Sequence, residues 1–136
     1  MDDRRLVELA CEARSRAYAP YSGFSVGAAL LDADGRVWQG CNIENAAFGP
    51  TVCAERVAVF KAVSEGVRSF EALAVVGGPA GEGIAPYTTP CGVCRQVLRE
   101  FCSDGFSIIL AAPDDGLRTT TLGELLPQSF GPDNLT

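Results

Sequence analysis

Residues 53–63 read CAERVAVFKAV and are apolar almost all the way round, the composition of a helix buried on every side. Gly66 stands just past its end as a stop. Leu73 to Val76 then reads as a buried strand, so a helix and a strand that both lack a polar face follow one another. Upstream, Val26 to Leu31 and Arg36 to Ile43 are short apolar stretches separated by Asp32-Ala33-Asp34-Gly35, the pattern of an antiparallel hairpin. Downstream, Phe106 to Ala111 reads as a last clear strand, with a turn at Asp114-Asp115-Gly116. A first helix is expected from a cap at Asp2 or Asp3, with Leu6, Leu9, Ala10, Ala13 and Ala17 at three-to-four spacing, ending before Pro20. Thr89 as a cap and Pro90 in the first turn predict another helix, with Val93, Val97, Leu98 and Phe101 on its apolar face. Gly77 to Thr89, rich in Gly and Pro, is expected to be a loop. Helices interleaved with a hairpin and single buried strands predict an α/β fold whose mixed sheet is covered on both faces.

A length of 136 residues is that of one domain, so residues 1–136 are expected to form a single unit. A formal charge of -6 leaves no basic surface to neutralise a nucleic-acid backbone. The first residues alternate charged and apolar side chains, unlike a leader peptide or a membrane span, and the expected location is cytoplasmic. With 47% hydrophobic residues the chain is rich for its size, which points to apolar surface buried between subunits. There is no histidine, which removes every mechanism with a histidine base and every metal site with a histidine ligand.

In a reducing compartment the six cysteines read as thiols or metal ligands rather than as disulfides. Cys11, Cys41 and Cys102 lie in apolar runs and are expected to be small buried hydrophobes. The other three are grouped with a purpose. Cys53-Ala54-Glu55 and Pro90-Cys91-Gly92-Val93-Cys94 each open a predicted helix, and helix N-termini favour thiolates through free N–H groups and the dipole. Two such ends converging would hold a metal with three thiolates and one vacant tetrahedral position, the mark of catalytic rather than structural zinc. A structural site would need Cys41 or Cys102 as fourth ligand, and a redox pair at Cys91 and Cys94 would leave Cys53 and Glu55 without a purpose. Side chains two apart in a regular helix do not face each other, so Cys53 must sit at the very start of its helix for Glu55 to reach the same centre. Arg56 follows directly. Three thiolates on Zn²⁺ leave the centre at net -1, and Arg56 is expected to donate to one or two of the sulfurs and offset that excess.

Cys53-Ala54-Glu55-Arg56 with Pro90-Cys91-Gly92-Val93-Cys94-Arg95-Gln96 resembles the zinc signature of cytidine deaminases in its three-cysteine form. The resemblance continues through Ala19-Pro20-Tyr21-Ser22, Phe24, Val26-Gly27-Ala28, Gly40-Cys41-Asn42-Ile43-Glu44-Asn45-Ala46, Leu125-Leu126-Pro127 and Phe130-Gly131-Pro132, nearly the whole chain. It implies a three-layer α/β/α sandwich around a mixed sheet of about five strands. It also implies one Zn²⁺ per subunit on Cys53, Cys91 and Cys94, with Glu55 as the proton shuttle in the deamination of cytidine and deoxycytidine. Asn42 and Glu44 would bind the ribose 3′-hydroxyl, Phe24 and Ala54 would contact the substrate, and Phe130 would reach a neighbouring subunit's site in a homotetramer. Phe48 stands where the family often has a tyrosine near the ribose 5′ end, and the Gly77 to Thr89 loop is longer than usual. The alternatives are a related zinc deaminase of a nucleoside-like antibiotic or another aminopyrimidine, and a zinc-stapled binding module.

Overall fold

The computed structural model describes residues 1–136. Its elements run α1 (Asp3–Arg14), β1 (Phe24–Asp32), β2 (Val37–Cys41), α2 (Ala54–Ser64), β3 (Phe70–Pro79), α3 (Gly92–Phe101), β4 (Ser107–Ala112), β5 (Gly116–Thr121) and a short α4 (Leu122–Leu125), closing in a single 3-10 turn at Pro132–Leu135. The five strands form one sheet in the order β2-β1-β3-β4-β5. Only β3 and β4 are parallel, and α3 provides their crossover.

Strand periodicity sorts the sheet's side chains into two cores. Ala28, Leu30, Leu73, Val75, Ile108 and Leu110 pack against Ala54, Ala58, Val59 and Ala62 of α2 and Leu98 of α3. The alternate residues Ala29, Leu31, Ala74, Val76, Ile109 and Ala111 pack against Leu6 and Ala10 of α1. The central strands are therefore apolar on both faces, and the predicted sandwich of helix, sheet and helix is the fold observed. Two glycines set how closely the layers meet. A Cβ on Gly27 would lie 2.0 Å from the Ala10 carbonyl oxygen of α1, and one on Gly40 would lie 2.2 Å from the Ala54 carbonyl oxygen of α2.

Several expectations need correction. α1, capped by Asp2 accepting from the Arg5 N–H at 2.8 Å, stops at Arg14 and leaves Ala17 outside. Cys11 is exposed rather than buried, because α1 buries the face of Leu6, Ala10 and Ala13 and Cys11 lies off it; Cys41 is only half-buried, and of the three Cys102 alone is buried as expected. Gly77 and Gly78 belong to β3 and not to a loop. Their missing side chains make room for neighbours: a Cβ on Gly77 would meet the Phe24 ring at 2.8 Å, and one on Gly78 the Gly83 carbonyl oxygen at 2.5 Å. The edge strand β5 had no sequence signal, since Arg118-Thr119-Thr120-Thr121 offers no apolar alternation.

The hairpin turn is held by one acid. Asp32 Oδ1 accepts from the N–H groups of Asp34 (2.9 Å) and Arg36 (3.0 Å), and Oδ2 accepts from Trp38 Nε1 at 3.0 Å. The Arg36 guanidinium lies over the Trp38 ring, 3.9 Å from its centre.

Candidate active site

The chemistry gathers where α2 and α3 begin. Cys53 is the N-cap of α2 with extended backbone angles (φ -78°, ψ 157°), and Cys91 is the N-cap of α3 in the same conformation (φ -68°, ψ 167°). Their carbonyls accept the first helical bonds, from Val57 and Arg95 at 3.2 and 3.0 Å. Both side chains are thus free of their helices and turn toward each other. The cap of α3 is Cys91 itself and not Thr89, so Pro90 precedes the helix; the Thr89 hydroxyl instead accepts a long contact from Arg95 Nη2 at 3.4 Å. Arg95 also donates to the Pro90 carbonyl at 2.8 Å, which ties down the segment entering Cys91.

Cys53 Sγ lies 3.6 Å from Cys91 Sγ, which lies 3.5 Å from Cys94 Sγ, and all three sulfurs fall within 4.8 Å of one another. Zinc–sulfur bonds in a tetrahedron put sulfurs about 3.8 Å apart, so the donor set fits Zn²⁺ in spacing and in softness. Hydrogen bonding from Cys94, with Arg56 and Cys91 adding to it, outweighs burial and lowers the Cys53 thiol to about 5, while the same contact with Cys53 and burial raise Cys94. Arg56 donates from Nη2 to Cys53 Sγ at 3.5 Å, the direction expected for a cation offsetting thiolate charge.

Glu55 is buried within the first turn of α2, and its Oε1 has no hydrogen-bond partner. Burial, with the nearby Cys53 charge adding to it, pushes its carboxyl up to about 7. A buried carboxylate oxygen with no protein donor, beside three clustered sulfurs, keeps its acceptor capacity free.

These groups open into one cleft of about 340 Å³ lined by Phe24, Asn42, Glu44, Cys53, Glu55 and Cys91 among others. Ala54 is wholly buried at the helix start, and Phe130 is exposed and lines no part of this cleft. Asn42 and Glu44 share the cleft, but each is already engaged by its own chain. Asn42 Oδ1 accepts from the Val26 N–H and its Nδ2 donates to the Phe24 carbonyl, both at 2.9 Å, so the amide completes the edge of β1. Glu44 accepts from the Ser22 hydroxyl and from the N–H groups of Ser22 and Tyr21, which hold it below the usual carboxylate range. Each keeps spare capacity: an amide nitrogen carries a second N–H, and a carboxylate has about four acceptor sites. Phe48 adopts a left-handed backbone (φ 61°) and packs edge-on to Tyr21, with ring centres 6.0 Å apart. Sequence reasoning gave no role to Thr51 and Thr88 and took Thr89 only as a helix cap, yet all three line the cleft. Only their position beside the cysteine segments marks them out.

A family model described as the cytidine and deoxycytidylate deaminase zinc-binding region matches residues 1–109. A cytidine deaminase of Sporosarcina psychrophila is 48% identical over 136 residues, covering 100% of this chain and 96% of that protein. The chain belongs to the cytidine deaminase family. With that membership goes hydrolase activity as a cytidine deaminase and a zinc-binding region, here with three cysteine ligands. The crystal structure of cytidine deaminase from Burkholderia pseudomallei superimposes with a TM-score of 0.86 at 46% identity, covering 96% of this chain and 100% of that one. A more distant relative, a blasticidin-S deaminase of Bacillus cereus, is 31% identical over 131 residues, covering 94% of this chain and 91% of that protein. No helix of the chain is long and apolar enough to cross a membrane.

Proposed function

We propose that residues 1–136 act as a single catalytic domain that converts cytidine and deoxycytidine, with water, to uridine and deoxyuridine and ammonia. The observation that carries this reading is the unpartnered Oε1 of buried Glu55 beside three clustered sulfurs, in a cleft also lined by Asn42 and Glu44. Cys53, Cys91 and Cys94 would hold one zinc. When bound, zinc supplies the Lewis acidity that makes a water acidic near neutral pH. Glu55 would take a proton from the attacking water and deliver it to N3 of the base as the water oxygen adds to C4. It would then move the proton of the new C4 hydroxyl to the amine, so that the C4–N bond breaks, ammonia leaves and the carbonyl forms. Its raised pKa matches both duties, since a shuttle works best with a pKa near the working pH.

Asn42 and Glu44 would use their spare N–H and lone pairs on the ribose 3′-hydroxyl, which supports a nucleoside over a free aminopyrimidine. Phe24 and Ala54 would flank the substrate, and Arg56 would hold the thiolate charge in check. The exposed ring of Phe130, together with exposed Phe60 and Val93, supports a homotetramer in which Phe130 completes a neighbour's site. A cytoplasmic location fits six free thiols. A binding module would have no use for an unpaired buried acid.

Metal analysis beside an absorbance assay tests the reading. One zinc per chain and turnover of cytidine and deoxycytidine, abolished by a chelator and restored by zinc, are expected. Stoichiometric zinc without turnover of either nucleoside would overturn it.

A further inference from the structure

The helix that carries Cys91 and Cys94 at its start also grips the end of the chain. Arg95 Nη1 donates to the Leu125 carbonyl at 2.7 Å, and Gln96 Nε2 donates to the Phe130 carbonyl at 2.9 Å. One turn further along α3, Arg99 Nε donates to Ser129 Oγ at 3.0 Å, and its Nη2 lies 3.7 Å from Asp133 Oδ2. The backbone passes directly across this guanidinium at Gly131, where a Cβ would lie 2.6 Å from Arg99 Cζ and 2.8 Å from Nη1. Gly131 has an extended backbone (φ -158°), so what the position requires of glycine is room and not a left-handed turn. The Gly131 N–H donates to Asn134 Oδ1 at 2.8 Å, which closes the tail on itself just beyond. Side chain, carbonyl and backbone are thus fastened at residues 129, 130 and 131 in succession.

What lies between these fastenings is an aromatic ring that the chain does not use. Phe130 is 58% exposed and belongs to neither hydrophobic core. An exposed ring on a free tail would have to be ordered on meeting its target, and that ordering would subtract from binding. Here the ordering is done in advance by an arginine that is only 18% exposed and cannot lose its charge.

We propose that Arg99, with Gly131 seated on its guanidinium and Gln96 beside it, is the positioning residue that presents Phe130 to the active site of an adjoining subunit. The inference rests on the reading that Phe130 works in a neighbour's site. It adds that the same helix supplies two metal ligands to its own site and a rigid mount for the group sent to another.

The test uses zinc-loaded Arg99→Leu and Gly131→Ala, which attack the contact from opposite sides, so either carries the test if the other misfolds. Each should keep its zinc and most of its kcat while KM for cytidine rises about tenfold, the effect of losing one hydrogen bond to a charged group. Glu55→Gln chains are then coexpressed with Arg99→Leu chains under different tags, and mixed oligomers are isolated through both. Sites on the Arg99→Leu chain now receive an intact tail from the Glu55→Gln chain, and a component with the wild-type KM should return. The control pair is Glu55→Gln with Phe130→Ala. If the control recovers activity and the Arg99 pair keeps its raised KM, Arg99 serves only its own chain and this inference falls while the shared site stands. If neither pair recovers, the shared site falls and takes the inference with it. Unchanged KM in both Arg99→Leu and Gly131→Ala would also overturn it.

Discussion

Asp32 and Glu55 are both carboxylates with 3% exposure, one in the β1–β2 turn and one at the start of α2, and burial acts on both to raise the pKa. In Asp32 the hydrogen bonds from Trp38 Nε1 and the N–H groups of Arg36 and Asp34 outweigh that effect, and the carboxyl ends below the usual range. Glu55 has an oxygen with no partner, and its carboxyl rises to about 7. Removing water from an acid makes it inert when protein donors replace the water and reactive when they do not. The first arrangement builds a turn, and the second leaves an acid that holds its proton up to about neutral pH.

The sharpest way to break the contrast is Glu55→Gln, which should lower kcat by ~10²–10⁴ while zinc content stays at one per chain. A variant that loses its zinc would make Glu55 a ligand and not a shuttle. A second measurement reads the same group without turnover. Because the folded pKa of Glu55 stands above its ordinary 4.5, the folded chain binds the proton more tightly than the unfolded chain does. Its penalty to stability is therefore absent well below that ordinary value, grows as pH rises, and is complete above about 7. Metal-stripped Glu55→Gln should be more stable than metal-stripped wild type by about 3 kcal/mol at pH 8, with the gap nearly closed at pH 4, in denaturant titrations. An equal gap at both pH values would show that the glutamate is not desolvated.

Asp32→Asn should do the opposite, costing about 1–3 kcal/mol of stability in the holoenzyme with little change in kcat, because an amide that keeps its oxygen toward the turn points a donor at Trp38 Nε1. The lowered Asp32 pKa places its contribution above the ordinary carboxylate range and removes it as pH falls through the folded value, so variant and wild type should converge in acid. The smallest effect is expected of Arg36→Ala, which removes the cation over Trp38 and should cost about 0.5–1 kcal/mol by thermal denaturation. A larger loss would mean that Arg36, and not the backbone around it, holds the Asp32 turn.

Much of this was legible in residues whose type is dictated locally. The apolar run of α2 announced a helix but not its place: expected to be buried on every side, α2 covers one face of the sheet and leaves Phe60 49% exposed, while the two-residue spacing of Cys53 and Glu55 required the extended N-cap that is found at Cys53. Features set by distant neighbours were not legible. Gly77 and Gly78 look like loop glycines until Phe24 and Gly83 are seen occupying the space above them. β5 is polar because it is an edge strand, and an edge strand lacks the signature of a buried one. Asn42 and Glu44 were readable as polar groups on one face, but their bonds to β1 and to the Tyr21–Ser22 turn depend on where the chain returns. Asp32 looked like any turn aspartate. Nothing in its immediate sequence distinguishes an acid that will be fully satisfied from one that will not.

The seat of α2 on Gly40 has a consequence for how a gene for this enzyme can drift. A single nucleotide change turns glycine into alanine, serine or valine, and at residue 40 the smallest of these would press a methyl to within 2.2 Å of the Ala54 carbonyl. The helix start would have to rise by about 1 Å, a displacement that costs on the order of 10²-fold in rate when it reaches reacting groups. Cys53 and Glu55 flank that carbonyl on either side. Selection for activity will therefore police a position that lines no part of the active-site cleft, and a loss-of-function allele can arise there with every residue of the cleft unaltered.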